Sequence, residues 1–301
     1  MKSAGALLVA TLLASGQTFR SGAEGVHVDA LVLDGNRPVS GLRAADFELR
    51  DSGVAQKIET VAFEDVPLNV IFALDCSESV QGEPLEHLKS AALAAIRLLR
   101  PADQAALLTF DDYVTLRADW TTDRSSLSNA ISAAKSGGAT ALHDAAYTAL
   151  TLTPPQPGRT LALVFSDGDD TASWLSGTAT IDIARRNDAV VYAVELGQKR
   201  PWAPGYRVDF HSGVQLGADA ARKNLMDRFL TTLAQDTGGQ VLNAARSDQL
   251  GERFVRILTE FRTRYLITYS PTGVERSGWH PLEVTLKGGK GRVIARRGYL
   301  R

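Results

Sequence analysis

Residues 69–79, with the sequence NVIFALDCSES, join a short apolar run to a group of polar oxygen donors. The run from Val70 to Leu74 contains no polar residue, which is typical of a strand buried on both faces of a parallel sheet. Asp75, Ser77 and Ser79 follow this run directly, so the loop at the strand end carries one carboxylate and two hydroxyls. This DxSxS pattern also occurs by chance, and its meaning therefore depends on the rest of the chain.

Short apolar runs alternate with segments of helical periodicity over most of the chain. Strands are predicted at Val70–Leu74, Ala105–Phe110, Leu161–Phe165, Val190–Leu196 and Gln240–Asn243, with a weaker edge strand at Val114–Ala118. Helices are predicted near residues 84–99, 124–135, 141–150, 181–187, 225–235 and 249–264. This alternation predicts an α/β fold with a doubly wound, mainly parallel, Rossmann-like sheet that helices cover on both faces.

Both ends of the chain contain short strands instead. Three are predicted between Val26 and Phe63, and others at Tyr265–Tyr269, His280–Lys287 and Arg292–Arg297. Because so few short strands cannot bury a core alone, we expect both sets to pair into one small β-sandwich with the α/β domain inserted between them. The predicted boundaries are 25–66 for the N-terminal strands, 68–264 for the α/β domain and 265–301 for the C-terminal strands.

Residues 1–16 have the pattern of a cleavable secretory signal peptide. Lys2 precedes an apolar run from Ala4 to Ala14, and small residues precede a plausible cleavage site before Gln17. A membrane anchor is less favoured, because a spanning helix needs about 20 apolar residues. The mature chain is therefore expected to be secreted or periplasmic and to have no transmembrane segment. Cys76, the only cysteine, cannot form an intramolecular disulfide.

The overall charge argues against two classes of partner. The chain has 33 Lys and Arg residues against 34 Asp and Glu residues, for a formal net charge of −1. It therefore lacks a broad positive field that would attract nucleic acid or an anionic membrane. Any partner is therefore expected to be recognised by a small part of the surface and not by the overall charge.

Two more polar motifs are placed where they can join the DxSxS loop. The sequence Gly138-Ala139-Thr140 opens a predicted helix, and Ser166-Asp167-Gly168 ends the predicted strand at Leu161–Phe165. Asp75 and Asp167 thus follow strands that flank the point where a doubly wound sheet reverses its order. Such folds bind ligands at that point.

On these residues the chain resembles the von Willebrand factor type A family. The metal-ion-dependent adhesion site of that family uses a DxSxS motif, a separate threonine and a separate aspartate. The matching residues here are Asp75, Ser77, Ser79, Thr140 and Asp167. The resemblance spans residues 69–264, and the flanking segments 39–47 and 296–299 resemble a bacterial subgroup called the VWFA-related acidobacterial domain.

The resemblance implies a metal and a partner. The two serines and, in the ligand-bound state, the threonine would contact the metal directly, while the aspartates would often act through water. A hydroxyl-rich oxygen shell suits Mg²⁺, with Mn²⁺ or Ca²⁺ as alternatives. Neutral hydroxyls leave the ion electrophilic, so an Asp or Glu carboxylate of a protein partner would complete its coordination. The expected function is extracytoplasmic, cation-dependent adhesion or assembly, without catalysis.

Two other functions stay open. A metal that stabilises the fold of a structural scaffold would use the same residues. A metal-dependent hydrolase or phosphatase is less favoured, because no second aspartate lies two places after Asp75 and the chain has neither a GxSxG elbow nor a GK[ST] phosphate loop.

Several residues near the motifs carry separate expectations. Asp144 either supports the metal loops from behind or takes an ordinary place in the first turn of a helix. Glu78, Asp169 and Asp170 are expected to face solvent, with competition for the metal as the alternative for Glu78. The segment 198–223 interrupts the α/β alternation and is predicted to form a partner-binding loop through the aromatic residues Trp202, Tyr206 and Phe210. The alternative is an insertion whose aromatic residues pack locally.

Overall fold

A computed structural model describes residues 25–63, 66–167, 170–197, 228–289 and 291–301. The predicted signal peptide and the predicted partner-binding loop with Trp202, Tyr206 and Phe210 lie outside the described residues. The strands are β1 (Val26–Asp34), β2 (Arg37–Pro38), β3 (Phe47–Asp51), β4 (Val54–Gln56), β5 (Ile58–Phe63), β6 (Leu68–Asp75), β7 (Gln104–Phe110), β8 (Val114–Thr121), β9 (Arg159–Ser166), β10 (Val190–Leu196), β11 (Val241–Ala244), β12 (Tyr265–Tyr269), β13 (Trp279–Leu286), β14 (Arg292–Ile294) and β15 (Gly298–Leu300). The helices are α1 (Glu83–Ile96), α2 (Arg124–Ser132), α3 (Leu142–Thr151), α4 (Gly177–Arg185), α5 (described over 228–237) and α6 (Leu250–Arg262).

Strand β6 lies inside a six-stranded sheet with the order β11-β10-β9-β6-β7-β8. Its neighbours β7 and β9 both run parallel to it, while β8 pairs antiparallel with β7 and makes the sheet mixed. Every residue of β6 is buried, which explains its uninterrupted apolar sequence. Because β7 follows on one side of β6 and β9 on the other, the strand order reverses at the carboxyl end of β6, where Asp75 lies.

Helices cover both faces of this sheet. Val70 and Phe72 pack on one face in a core that includes residues of α1, α2 and α6. Ile71 and Ala73 pack on the other face with residues of α3, α4 and α5. The predicted α/β fold is therefore confirmed. None of the described helices is long and apolar enough to cross a membrane.

Strands from the two ends of the chain pair with each other in two antiparallel sheets. One sheet places β1 between β12 and β14, with Val28 opposite Ile267. The other has the order β15-β13-β3-β4, with Leu49 opposite Val284. Long-range pairing thus supplies the partners that each terminal set of strands lacks on its own.

The structure differs from the sequence prediction in several elements. Helix α4 begins at Gly177 instead of residue 181, because the Ser176 hydroxyl caps it by accepting a hydrogen bond from the Ala179 N–H at 3.2 Å. The N-terminal segment forms five strands instead of three, since the short β2 and β4 add to it. The predicted strand 292–297 ends at Ile294, and the separate strand β15 begins at Gly298. A Cβ atom at Gly298 would lie 2.4 Å from the His280 carbonyl oxygen, so the close approach to β13 requires glycine.

Candidate metal site

The loop after β6 is organised by the Asp75 carboxylate. Its Oδ1 accepts a 2.9 Å hydrogen bond from the Ser77 backbone N–H, which turns the chain sharply. Its Oδ2 accepts a 2.8 Å hydrogen bond from the hydroxyl of Ser166, the last residue of β9. Asp75 is fully buried, so both oxygens are held by protein groups in place of water. The carboxylate therefore fixes the DxSxS loop to the neighbouring strand.

A chain of side-chain hydrogen bonds continues from this loop to Asp167. The hydroxyls of Ser77 and Ser79 are 2.9 Å apart, and the Ser79 hydroxyl donates to Asp167 Oδ1 at 2.8 Å. Ser77 is buried whereas Ser79 is exposed, so the chain runs from the interior to the surface. The structure thus brings together four of the five residues predicted from the sequence: Asp75, Ser77, Ser79 and Asp167.

The fifth residue, Thr140, follows a segment whose backbone is hydrogen-bonded to the DxSxS loop. The Glu78 N–H donates to the Gly138 carbonyl at 3.0 Å, and the Gly137 N–H donates to the Cys76 carbonyl at 2.9 Å. These two bonds place the segment before Thr140 against the DxSxS loop. Gly138 has a φ of +74°, and a Cβ atom there would lie 2.3 Å from an Asp112 carboxylate oxygen, so only glycine fits. Glu78 is exposed, as expected.

A second network ties the loop after β9 to the amino end of α3. We call residues 170–175 the Trp174 loop. The Thr140 carbonyl accepts hydrogen bonds from the N–H groups of Thr171 at 2.9 Å and Ala172 at 3.0 Å. The Asp144 carboxylate accepts from the N–H groups of Trp174 at 3.0 Å and Leu175 at 2.9 Å. Asp144 therefore lies in the first turn of α3 and also holds the loop that follows Asp167.

Asp170 is not the solvent-facing residue that we expected. Its side chain is 18% exposed, and its Oδ1 accepts a 3.1 Å hydrogen bond from the His143 N–H. The Ser173 hydroxyl donates to the same carboxylate, and His143 Nδ1 lies 3.4 Å from Oδ2. The expectation was wrong because the N–H that Asp170 caps lies 27 residues away in the chain. Asp169 lies outside the described residues.

Burial disfavours the ionised forms of the two carboxylates of the site, those of Asp75 and Asp167. It raises the pKa of Asp75 to about 6, against hydrogen bonds from Ser77 and Ser166, and the negative charge of Asp167 adds to the rise. Burial also raises the pKa of Asp167, although the Ser79 hydrogen bond opposes this. A cation near these oxygens would favour the ionised forms.

The donor set fits a hard divalent cation. The Asp75 carboxylate binds the Ser77 N–H at 2.9 Å, and hydroxyl contacts of 2.9 and 2.8 Å continue from Ser77 through Ser79 to Asp167, so these oxygens lie in one small region. Oxygen donors suit Mg²⁺, Mn²⁺ or Ca²⁺, whereas zinc in structural sites is bound mostly through nitrogen and sulfur. Cys76 lies inside the motif, but it belongs to a separate buried apolar cluster with Leu85 and Ala134.

The comparisons with known proteins agree with this fold. A family model described as "von Willebrand factor type A domain" matches residues 70–169. A von Willebrand factor type A structure from Catenulispora acidiphila is similar with a TM-score of 0.53 and 14% identity, over 86% of this chain and 75% of that one. A comparison with curated proteins gave no match.

Proximal thread matrix protein 1 from the mussel byssus is also similar in structure. In the form described as having a zinc-occupied MIDAS motif, the TM-score is 0.51 with 15% identity, over 70% of this chain. The present chain spans about half of the mussel protein, 49% in that form. At these identities the two structures establish the fold alone. Together with the family model, they show a von Willebrand factor type A domain in the part of the chain that includes residues 70–169.

Proposed function

We propose that this protein is an extracytoplasmic, non-enzymatic module that binds Mg²⁺ and offers it to an Asp or Glu carboxylate of a protein partner. The metal residues would be Asp75, Ser77, Ser79, Thr140 and Asp167. One observation carries the proposal: the hydrogen-bonded chain from Asp75 through Ser77 and Ser79 to Asp167, which joins the ends of two neighbouring parallel strands.

The residues of the site would have different roles in binding the ion. Asp75 keeps the loop in shape through the Ser77 N–H and the Ser166 hydroxyl. The Ser77 and Ser79 hydroxyls supply neutral oxygens, and Asp167 supplies a carboxylate oxygen next to Ser79. When bound, the ion supplies a positive charge that neutral hydroxyls quench only in part. A carboxylate from outside is the natural group to balance it.

The acidic residues of the site explain why partner binding would depend on the cation. Asp75, Asp167 and the exposed Glu78 would repel an acidic ligand by their own charge. A divalent cation offsets most of this negative charge and can bind an incoming carboxylate directly. An acidic partner is thus admitted only when the metal is present, which is the behaviour expected of an adhesion or assembly domain.

A second function shares the same site. Asp75 is fully buried and burial opposes its ionisation, so a cation could act chiefly by stabilising the fold of a scaffold. In that case the partner would bind elsewhere. A thread matrix protein among the structural relatives makes this alternative worth testing.

The domain arrangement and the export route are part of the proposal. We propose that the strands of 25–66 and 265–301 form one β-sandwich into which the type A domain of 68–264 is inserted. A shared apolar core supports this, since Val28 and Val32 of β1 pack in one cluster with Phe47 and Leu49 of β3. We further propose that residues 1–16 direct the chain out of the cytoplasm.

Calorimetric titration with Mg²⁺ tests the metal, and the capped peptides Gly-Gly-Asp-Gly and Gly-Gly-Asn-Gly test the carboxylate. We expect Mg²⁺ to bind, the Asp peptide to bind only with Mg²⁺, and the Asn peptide not to bind. Asp167→Asn should lose both interactions and keep its fold by circular dichroism. The matched control Asp34→Asn, at an exposed strand end, should behave as wild type.

The outcomes separate the candidate functions. Mg²⁺ binding that raises the melting temperature without any Asp peptide binding would support the scaffold and overturn the adhesion function. Peptide binding that persists in chelator would contradict any role for the metal. Hydrolysis of phosphate esters or of peptides by the wild type, abolished in Asp75→Asn, would establish catalysis instead.

A further inference from the structure

The Trp174 loop exposes a large apolar side chain beside the candidate metal site. Trp174 is 89% exposed, and Leu175 next to it is 37% exposed. Tryptophan is enriched among the residues that dominate binding energy in interfaces, because its large ring buries much area at low entropic cost. An indole this exposed contributes little to the fold, so it is free to contact a partner.

The backbone that carries this indole is already ordered. Trp174 and Leu175 are held by the two oxygens of Asp144, and the preceding Thr171 and Ala172 are held by the Thr140 carbonyl. Four backbone hydrogen bonds thus fix the loop at both ends. A partner that contacts Trp174 would not have to order the loop first, which lowers the entropic cost of binding.

The position of Trp174 relative to the metal residues follows from the same bonds. The Thr171 N–H lies 2.9 Å from the carbonyl oxygen of Thr140. Trp174 is three residues further along the chain, so its Cα lies within about 11 Å of the Thr171 Cα, given 3.8 Å per residue. In an extended peptide, the residues next to a metal-bound Asp lie within about 4 to 7 Å of it along the chain. Side chains next to the metal-bound Asp of the partner can therefore reach the Trp174 indole.

The charges of the loop leave the indole as its main contact surface. Asp144 is occupied by two backbone N–H groups, and Asp170 is occupied by the His143 N–H and the Ser173 hydroxyl. Neither carboxylate is left to recruit a basic partner. Among the described residues of the Trp174 loop, the indole is therefore the most exposed group that a partner could contact.

We infer that Trp174 is a specificity-determining contact, and that the partner presents an Asp or Glu with a large apolar side chain one or two residues away. This inference rests on the proposed function, because the acidic residue is placed by the metal. The metal would then select for the acidic residue, and Trp174 would select for its apolar neighbour. The apolar neighbour would pack on the indole while the carboxylate completes the metal coordination.

The inference is tested with two capped peptides, Gly-Leu-Asp-Gly and Gly-Gly-Asp-Gly, in the presence of Mg²⁺. Calorimetry measures their affinities, and in the wild type the shift of the Trp174 indole N–H signal in NMR spectra reports contact with the indole. We expect the leucine peptide to bind about fivefold more tightly to the wild type, as partial burial of one leucine side chain implies. Trp174→Ser should lose this preference and keep its affinity for the glycine peptide. The matched control Leu98→Ser changes another exposed apolar residue, in the turn that follows α1, and should keep the preference.

Each outcome supports or overturns the inference. Equal affinity of the two peptides for the wild type, with binding that still needs Mg²⁺, would overturn it and leave the proposed function standing. A preference that survives Trp174→Ser would also overturn it. No Mg²⁺-dependent binding of either peptide would defeat the proposed function and the inference together. A Mg²⁺-dependent dimer that Trp174→Ser disperses would assign this surface to a second copy of the chain instead.

Discussion

The hydroxyl of Ser79 donates a 2.8 Å hydrogen bond to Oδ1 of Asp167, which lies 88 residues away in the chain. The contact exists because β6 and β9 are adjacent parallel strands, so the loops at their carboxyl ends meet. It joins the local DxSxS motif to the separate aspartate. The candidate metal site is therefore a property of the sheet topology as well as of the motif.

Replacement of Thr140 should separate ligand binding from folding. Thr140→Ala removes one hydroxyl and should cost at most about 1 to 2 kcal/mol in free energy of unfolding. Because the threonine is expected to contact the metal mainly when a ligand is bound, we expect Mg²⁺-dependent affinity for the Asp peptide to fall about tenfold or more. Urea unfolding and peptide titration measure the two effects. Thr140→Ser keeps a hydroxyl and should stay near wild type; an unchanged peptide affinity in Thr140→Ala would argue against a role for Thr140.

The buried Asp51 carboxylate should be a major source of stability for the terminal strands. Its Oδ2 accepts hydrogen bonds from the hydroxyls of Tyr269 and Tyr299, both at 2.9 Å, and its Oδ1 lies 3.0 Å from His280 Nδ1. Four strands, β3, β12, β13 and β15, thus meet at one fully buried carboxylate.

We expect Asp51→Asn to lower the free energy of unfolding by about 3 kcal/mol, because it leaves buried donors without an acceptor. Tyr299→Phe removes one bond to the carboxylate and should cost about 2 kcal/mol. The control Tyr113→Phe, at a side chain that is 71% exposed, should change the value by less than about 0.5 kcal/mol. Urea midpoints at a constant m-value measure these differences. A wild-type midpoint for Asp51→Asn would exclude the network as a source of stability.

The buried ion pair between Asp29 and Arg159 should couple the terminal strands to the α/β domain. Asp29 Oδ1 of β1 lies 3.0 Å from Arg159 Nε of β9, and the two side chains are 5% and 1% exposed. Burial raises the pKa of Asp29 and lowers the pKa of Arg159, so each charge depends on the other to remain in the interior.

Asp29→Ala should therefore destabilise the protein by about 3 to 5 kcal/mol, because it leaves a buried charge without its partner. The double variant Asp29→Ala with Arg159→Met should recover part of this loss, which a double-mutant cycle would measure. The exposed pair of Glu48 and Arg50, 2.9 Å apart, is the control and should give a coupling of about 0.2 to 1 kcal/mol. Strict additivity of the two buried substitutions would show that the pair is not coupled.

Acid should weaken the fold through Asp103. Burial alone would raise the pKa of Asp103, but hydrogen bonds from Arg262 and from the N–H groups of Leu68 and Arg100 outweigh it and lower the pKa. A lowered pKa in the folded state means that the stabilisation is present above the unfolded value of about 3.9 and is lost as the pH falls through the folded value.

We therefore expect the difference in stability between wild type and Asp103→Asn to shrink below about pH 4. Urea unfolding of both proteins between pH 3 and pH 7 measures it. Asp34→Asn, at an exposed strand end, is the control and should track the wild type throughout. A difference that stays constant down to pH 3 would contradict the assignment.

The sequence alone determined the parts of this protein whose cause is local in the chain. The apolar run Val70–Leu74 predicted a fully buried strand, which the structure confirms, and Asp75, Ser77 and Ser79 follow it in the same short segment. Asp167 was also predictable, because parallel strands flanking a reversal of strand order always bring their carboxyl ends together. The α/β alternation and the pairing of the terminal strands followed from the same periodicity and length arguments.

Tertiary structure alone decided which polar residues support the site. Nothing in the sequence predicted that Ser166 donates to Asp75 or that Asp170 caps the His143 N–H. The attachment of Trp174 to Asp144 was equally hidden. The physical reason is that a polar side chain in a loop has the same sequence pattern whether it faces water or a buried backbone N–H. Its partner is chosen by strands and helices that meet across long stretches of chain, and only the packed fold brings the two groups within hydrogen-bonding distance.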